Sequence, residues 1–250
     1  LGFCKGSEID AAVQWAEIAE NYGLKSTLFL TGLCALEAPE TIASFGKSEL
    51  VEIGGHNYFA FQPRALYDWW GRITGNKNGP KIVQNWEVSA TTQIIRKLTG
   101  KQVLSWRNHG YRHDDNTRAI LIRNGITHFS DILDPELTLP CHFVKGLVEL
   151  PINTLPDHDF VYHGARQRGM FDEAPLLSSK FRTGAVRPSR WLEIVKKQVL
   201  KMEGENNVAT ILAHPSCMAI IDEFEIFEDL CRFLSAYNSV NMSEIQVEHL

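Results

Sequence analysis

Val103-Leu104-Ser105-Trp106-Arg107-Asn108-His109-Gly110-Tyr111-Arg112-His113-Asp114-Asp115-Asn116-Thr117 changes character within a few residues. The apolar run Val103 to Trp106 has the length and composition of a buried strand, and it ends in a burst of charge and imidazole. In alternating β/α folds the carboxyl ends of the strands face the ligand crevice, so this is where a site is expected. Helix capping accounts for Asp115-Asn116-Thr117. It does not account for Arg107, His109 and His113.

Outward from this stretch the pattern is strand, helix, strand. Ser7 and Asp10 form a capping pattern ahead of a helix that Gly23 stops, and Lys25 to Thr31 reads as a short strand. Pro39 to Phe45 is a helix, and Leu50 to Ile53 is a strand running into Gly54-Gly55-His56. The aromatics from Tyr58 to Trp70 either stack on sugar rings or pack Leu66, Trp69 and Trp70 inward from an amphipathic helix. Helices are expected at Trp86–Leu98, Thr117–Arg123, Arg190–Met202 and Asp222–Ala236. Strands are expected at Thr127–Ser130, Leu147–Ile152, Phe160–His163 and Val208–Ala213. The alternation predicts an α/β fold with a parallel sheet, wound into a closed or nearly closed barrel in one domain of 250 residues.

A net charge of −5 with mixed signs and no basic run argues against nucleic acid. No apolar run reaches the ~18 residues of a membrane span, and no signal peptide is recognised, so the expected compartment is the cytoplasm. Five cysteines without a C-x-x-C pair suggest neither a disulfide framework nor a zinc knuckle.

Collected from strand ends, the candidates are His56, Arg107, His109, Asp131 and His214, with His113 and Asp114 close by. Histidines and carboxylates converging from several strands suit a divalent metal that activates water, or metal-free acid–base hydrolysis. Among the others, His128, His142, His158 and His163 read as surface or loop residues, although Asp157-His158-Asp159 is placed to line a cleft. Glu149 reads as a supporting partner, Cys217 lacks a third group to make it a nucleophile, and Arg166 to Arg190 reads as a solvated connection.

The order of motifs resembles the polysaccharide deacetylases (NodB-homology, carbohydrate esterase family four). Gly23-Leu24-Lys25-Ser26-Thr27-Leu28-Phe29-Leu30-Thr31-Gly32, Glu52-Ile53-Gly54-Gly55-His56, the Arg107 stretch, Gly125 to Asp131, Glu149-Leu150-Pro151 and Leu212-Ala213-His214-Pro215 are each similar to a motif of that family. The resemblance implies a distorted β/α barrel that removes the acetyl group of an N-acetylated sugar. The implied cofactor is a divalent metal, zinc first, and the implied setting is bacterial O-antigen or surface-polysaccharide synthesis. By the same resemblance His56 is a metal ligand, Arg107 orients the base and His214 is the general acid.

Two family positions are not matched. The second metal histidine falls on Ala60, and the acidic pair falls on Cys4 and Lys5. Lysine is no ligand for a divalent cation at neutral pH. Either the acidic pair lies upstream of Leu1, or His109 or His113 fills the gap at Ala60. The expected metal set is therefore His56, His109 and His113, with His214, Arg107 and Asp114 catalytic. The alternatives are a metal-independent amide hydrolase of the same fold and a non-catalytic carbohydrate-binding relative.

Overall fold

The computed structural model describes residues 7–144, 146–162, 180–181, 183–203 and 207–247. In chain order the elements are α1 (Glu8–Asn21), β1 (Ser26–Leu30), α2 (Gly32–Glu37), α3 (Pro39–Phe45), β2 (Val51–Gly55), α4 (Arg64–Thr74), α5 (Lys81–Thr99) and β3 (Ser105–Trp106). There follow α6 (Asp115–Arg123), β4 (His128–Phe129), β5 (Cys141–Val144), β6 (Leu147–Glu149), α7 (Pro188–Glu203), α8 (Pro215–Asp222) and α9 (Glu225–Leu234). Single 3-10 turns lie at His109–Tyr111 and Met242–Glu244, and a π-helical turn at His158–Tyr162. No helix of the described residues is long and apolar enough to cross a membrane. The chain divides into two compact units. One holds residues 25–132, 141–150 and 240–250; the other holds 1–24, 133–140 and 151–239.

The first unit is built on a six-stranded sheet in the order β1-β2-β3-β4-β6-β5, parallel except for β5 against β6, which confirms the expected α/β class. Its register sets one row across the sheet: Gly55 pairs with Trp106, Trp106 with Phe129, and Phe129 with Glu149. Trp106 and Phe129 are fully buried. Gly55 is required there because a Cβ at that position would overlap the Trp106 ring. One residue further on, the chain leaves the sheet at His56, Arg107 and Ser130 in step, each N–H still bonded to the neighbouring strand. That alignment places the candidate side chains on one edge.

The second unit is helical. Ser7 and Asp10 make the expected capping box on α1, and Gly23 at φ +69° lets the chain turn out of it. Its core gathers Ala11, Ala19, Phe160, Val161, Trp191, Val195, Met218, Phe227 and Leu230.

Two expected strands of this unit are not strands. Phe160 and Val161 are both buried in the π-helical turn, and a short apolar run does not by itself distinguish helix from strand. Val208–Ala213 forms no strand: the Val208 N–H bonds the Thr138 carbonyl, and side chains take its bonds at Val208 and Thr210. Asn153 donates to the carbonyl of Val208 and accepts from the N–H of Thr210, while the Thr154 hydroxyl donates to the carbonyl of Thr210. The helix expected over Asp222–Ala236 is α9, and α8, where a loop was expected after His214-Pro215, precedes it; Glu223 and Phe224 in the left-handed region separate the two. Of the two readings of the aromatic stretch, inward packing of Leu66 and Trp69 does not hold. Tyr67 is buried, but Leu66 and Trp69 are about 60% exposed.

Candidate functional site

Strand register explains which side chains meet in the sheet unit. Arg107 and Ser130 are neighbours on one face of the strand ends, and the guanidinium donates to the carbonyl and hydroxyl of Ser130 at 2.9 and 2.7 Å. It also lies 4.5 Å from the centre of the Phe29 ring. One residue on, the alternation turns Asn108 and Asp131 to the opposite face. There the Asp131 carboxylate accepts from the backbone N–H and the side-chain amide of Asn108, both at 2.8 Å. Trp106 Nε1 donates to Asn108 Oδ1 and so orients that amide. His113 Nδ1 stands 3.6 Å from Oδ2, the oxygen that also accepts from the Asn108 amide.

Asp131 thus holds both ends of the turn that presents His109. From the other side Asn57 Oδ1 accepts the N–H of His109 at 2.8 Å. Asn57, itself at φ 58°, is followed by Ala60 and Phe61 in the left-handed region. Three non-glycine residues in that region within five positions mark a segment whose shape is imposed by its surroundings.

His56 follows β2 directly. Its Nδ1 lies 2.7 Å from the carbonyl of Arg107, which can only accept, so Nδ1 carries the proton. Its Nε2 is 3.2 Å from Nδ1 of His109. Two neutral imidazoles at that separation either share a hydrogen bond or flank a cation. With metal–nitrogen bonds of about 2.05 Å, the spacing corresponds to an N–M–N angle of about 100°, close to tetrahedral. A carbonyl on the far nitrogen is the usual support for a metal-bound histidine. The spacing and support of the pair therefore suit two ligands of a divalent ion. No third ligand joins it among the described residues, and Cys4 and Lys5 lie outside them. His113 faces Asp131 rather than this pair.

Burial sets the electrostatics. Arg107 is pushed below its usual range by burial, and burial raises Asp131 despite the bonds it accepts. The Asp131 carboxylate in turn holds the His113 imidazolium above the usual histidine value. Glu149 has no exposed surface, and its Oε1 accepts from the N–H groups of Asp131 and Ile132. Its Oε2 is buried with no hydrogen-bond partner among the described residues. Burial pushes this carboxyl up to about 7.

A carboxyl whose folded pKa exceeds its unfolded value stabilises the fold below the unfolded pKa, and that contribution is lost as pH rises through the folded one. Unfolding of the wild type in urea between pH 4.5 and 8, compared with Glu149→Gln, is therefore expected to show an extra loss on the order of 3 kcal/mol with rising pH. The amide variant does not titrate and keeps the Oε1 bonds. Parallel profiles for the two proteins would contradict a neutral Glu149.

Asp114 does other work. It is the N-cap of α6, accepting from the N–H groups of Asn116 and Thr117, and it also accepts from Asn76 and Gln84. Burial raises its pKa, but these bonds outweigh burial and hold it below the usual range. His128, expected at the surface, is buried between the Thr127 hydroxyl and the carbonyl of Ile245. His163 and most of Arg166–Arg190 lie outside the described residues, as does the side chain of His142.

In the helical unit His214 is the N-cap of α8. Its backbone N–H and its Nδ1 both bond to the buried Asp157 carboxylate, at 2.8 and 2.7 Å. Nδ1–H is thereby fixed. His158, read from sequence as a loop residue, packs on His214 with ring centres 5.0 Å apart and puts Nδ1 3.3 Å from Cys217 Sγ. The sequence marks Asp157 only as part of a stretch placed to line a cleft and gives Asn108 no role, since nothing local announces a partner 57 or 23 positions away.

No family model matches the sequence, and no curated protein does. Solved structures do match. A Mycobacterium smegmatis protein assigned to the polysaccharide deacetylases superposes with a TM-score of 0.66 at 16% identity, over 94% of this chain and 73% of that one. Puue allantoinase superposes at 0.63 and 16% identity, over 93% and 68%. A Bacillus anthracis pseudoenzyme of carbohydrate esterase family four superposes at 0.57 and 14%, over 96% and 61%. Identities this low establish shape alone. The chain has the fold of the polysaccharide deacetylases of carbohydrate esterase family four.

Proposed function

We propose that the chain is a hydrolase of amide C–N bonds that removes an N-acetyl group from a sugar or sugar conjugate, as a single deacetylase-type domain acting in surface-polysaccharide (O-antigen) synthesis. The observation that carries this reading is the His56–His109 pair, set 3.2 Å apart at the ends of adjacent parallel strands with His56 anchored on a carbonyl. A divalent ion held there, zinc first, would polarise an amide carbonyl and lower the pKa of a bound water. The chain's own groups have definable parts. Arg107 holds Ser130 and so the approach to Asp131, and Asp131 holds the turn that carries His109. His214, its tautomer set by Asp157, donates a proton from Nε2 to the leaving amine. Asp114 holds α6 and takes no part in proton transfer.

Elemental analysis of wild type and His56→Ala after incubation with zinc, cobalt, nickel or iron tests the reading, together with acetate release from N-acetylated sugar oligomers with and without chelator. The expected result is an equivalent of metal that His56→Ala removes, and acetate release that the chelator abolishes. A variant that binds as much metal as wild type overturns the assignment. The alternative, a metal-independent amide hydrolase of the same fold, predicts hydrolysis that survives chelator.

A further inference from the structure

Asp157, His158, His214 and Cys217 come together in the helical unit from two chain segments. Cys217 is buried in the first turn of α8, and a ligating atom from each of His158, His214 and Cys217 lies within 4.8 Å of the others. His158 Nδ1 to Cys217 Sγ is 3.3 Å. With bonds of about 2.3 Å to sulfur and about 2.05 Å to nitrogen, that corresponds to an S–M–N angle of about 100°. His214 already carries the support a ligand needs, its far nitrogen bonded to a fully buried carboxylate. His158 is braced by stacking on Tyr162, ring centres 5.1 Å apart.

We propose that His158, His214 and Cys217 form a second site, for a borderline-soft divalent ion such as zinc, and that filling it withdraws His214 from proton transfer. The second clause rests on the hydrolase reading above; the first does not. Two histidines and a thiolate suit zinc or cobalt rather than magnesium or calcium. A Cys–His nucleophile is the weaker account of the same contact. Burial, and then the Asp157 carboxylate, push the Cys217 thiol well above its ordinary value, so it is no nucleophile at neutral pH. A metal ion changes that: it takes the sulfur lone pair, the thiol proton passes to solvent, and one proton is released for each ion bound.

The test is cobalt(II) added to the chelator-stripped, full-length protein, followed by the thiolate-to-cobalt charge-transfer absorption. The band is expected in wild type and in His56→Ala. It is expected to be absent in Cys217→Ser, and to require at least about tenfold more cobalt in His158→Ala. No band in wild type, or a band that persists in Cys217→Ser, overturns the site. If Cys217→Ser does not fold by circular dichroism, His158→Ala decides alone, and wild-type cobalt affinity there overturns it. Zinc added beyond the first equivalent is expected to inhibit acetate release from wild type, with the inhibition shifted at least about tenfold in His158→Ala. Unshifted inhibition overturns the link to His214. A protein that releases no acetate under any condition sinks the hydrolase reading and that link, and the cobalt band still decides the site.

Discussion

His214→Ala is expected to lower kcat for acetate release by about 10²–10⁴-fold with KM little changed, because the leaving amine loses its proton donor while the substrate contacts stay. Asp157→Asn is expected to cost about 10–100-fold, since an amide can present its N–H to Nδ1 and let the imidazole take the wrong tautomer. Acetate release at saturating substrate, with purified variants checked for folding, measures both. A His214→Ala protein within about threefold of wild type would remove His214 from the chemistry. If Asp157→Asn fell as far as His214→Ala, Asp157 would be doing more than orienting the ring.

The largest expected loss of stability is at Asp131. It is 3% exposed and holds Asn108 through two hydrogen bonds and His113 through an ion contact, with Arg107 buried nearby. Removing one member of a buried charge set leaves the rest uncompensated, at a cost of about 3–5 kcal/mol. Asp131→Ala is expected to shift the urea midpoint by that amount at unchanged slope, and Asp131→Asn by less, because the amide oxygen still accepts from Asn108. Both are also expected to weaken metal binding, since the turn carrying His109 loses its anchor. A midpoint unchanged in Asp131→Ala would mean that Arg107 and His113 find other partners.

Much of this was legible in the sequence where the signal is local. The capping box of α1, the helix Pro39–Phe45, the strand into His56 and the parallel alternation all depend on neighbours within a few positions. The elements that misled were those decided elsewhere. Val208–Ala213 has the composition of a core strand, yet Asn153 and Thr154 take its backbone bonds. Leu66 and Trp69 have the spacing of a buried helix face and are exposed.

By itself the sequence determined the fold class, the family resemblance and the strand ends at which the polar residues gather, because periodicity, caps and glycine positions act over short stretches of chain. Tertiary structure alone decided the partners: His56 with His109, Asn108 and His113 with Asp131, and Asp157 with His214. Register and strand alternation set the first two pairings, and the placement of α8 sets the third. Which nitrogen holds a proton and which carboxyl stays neutral follow from those pairings, and no residue type carries that information until it is buried beside another.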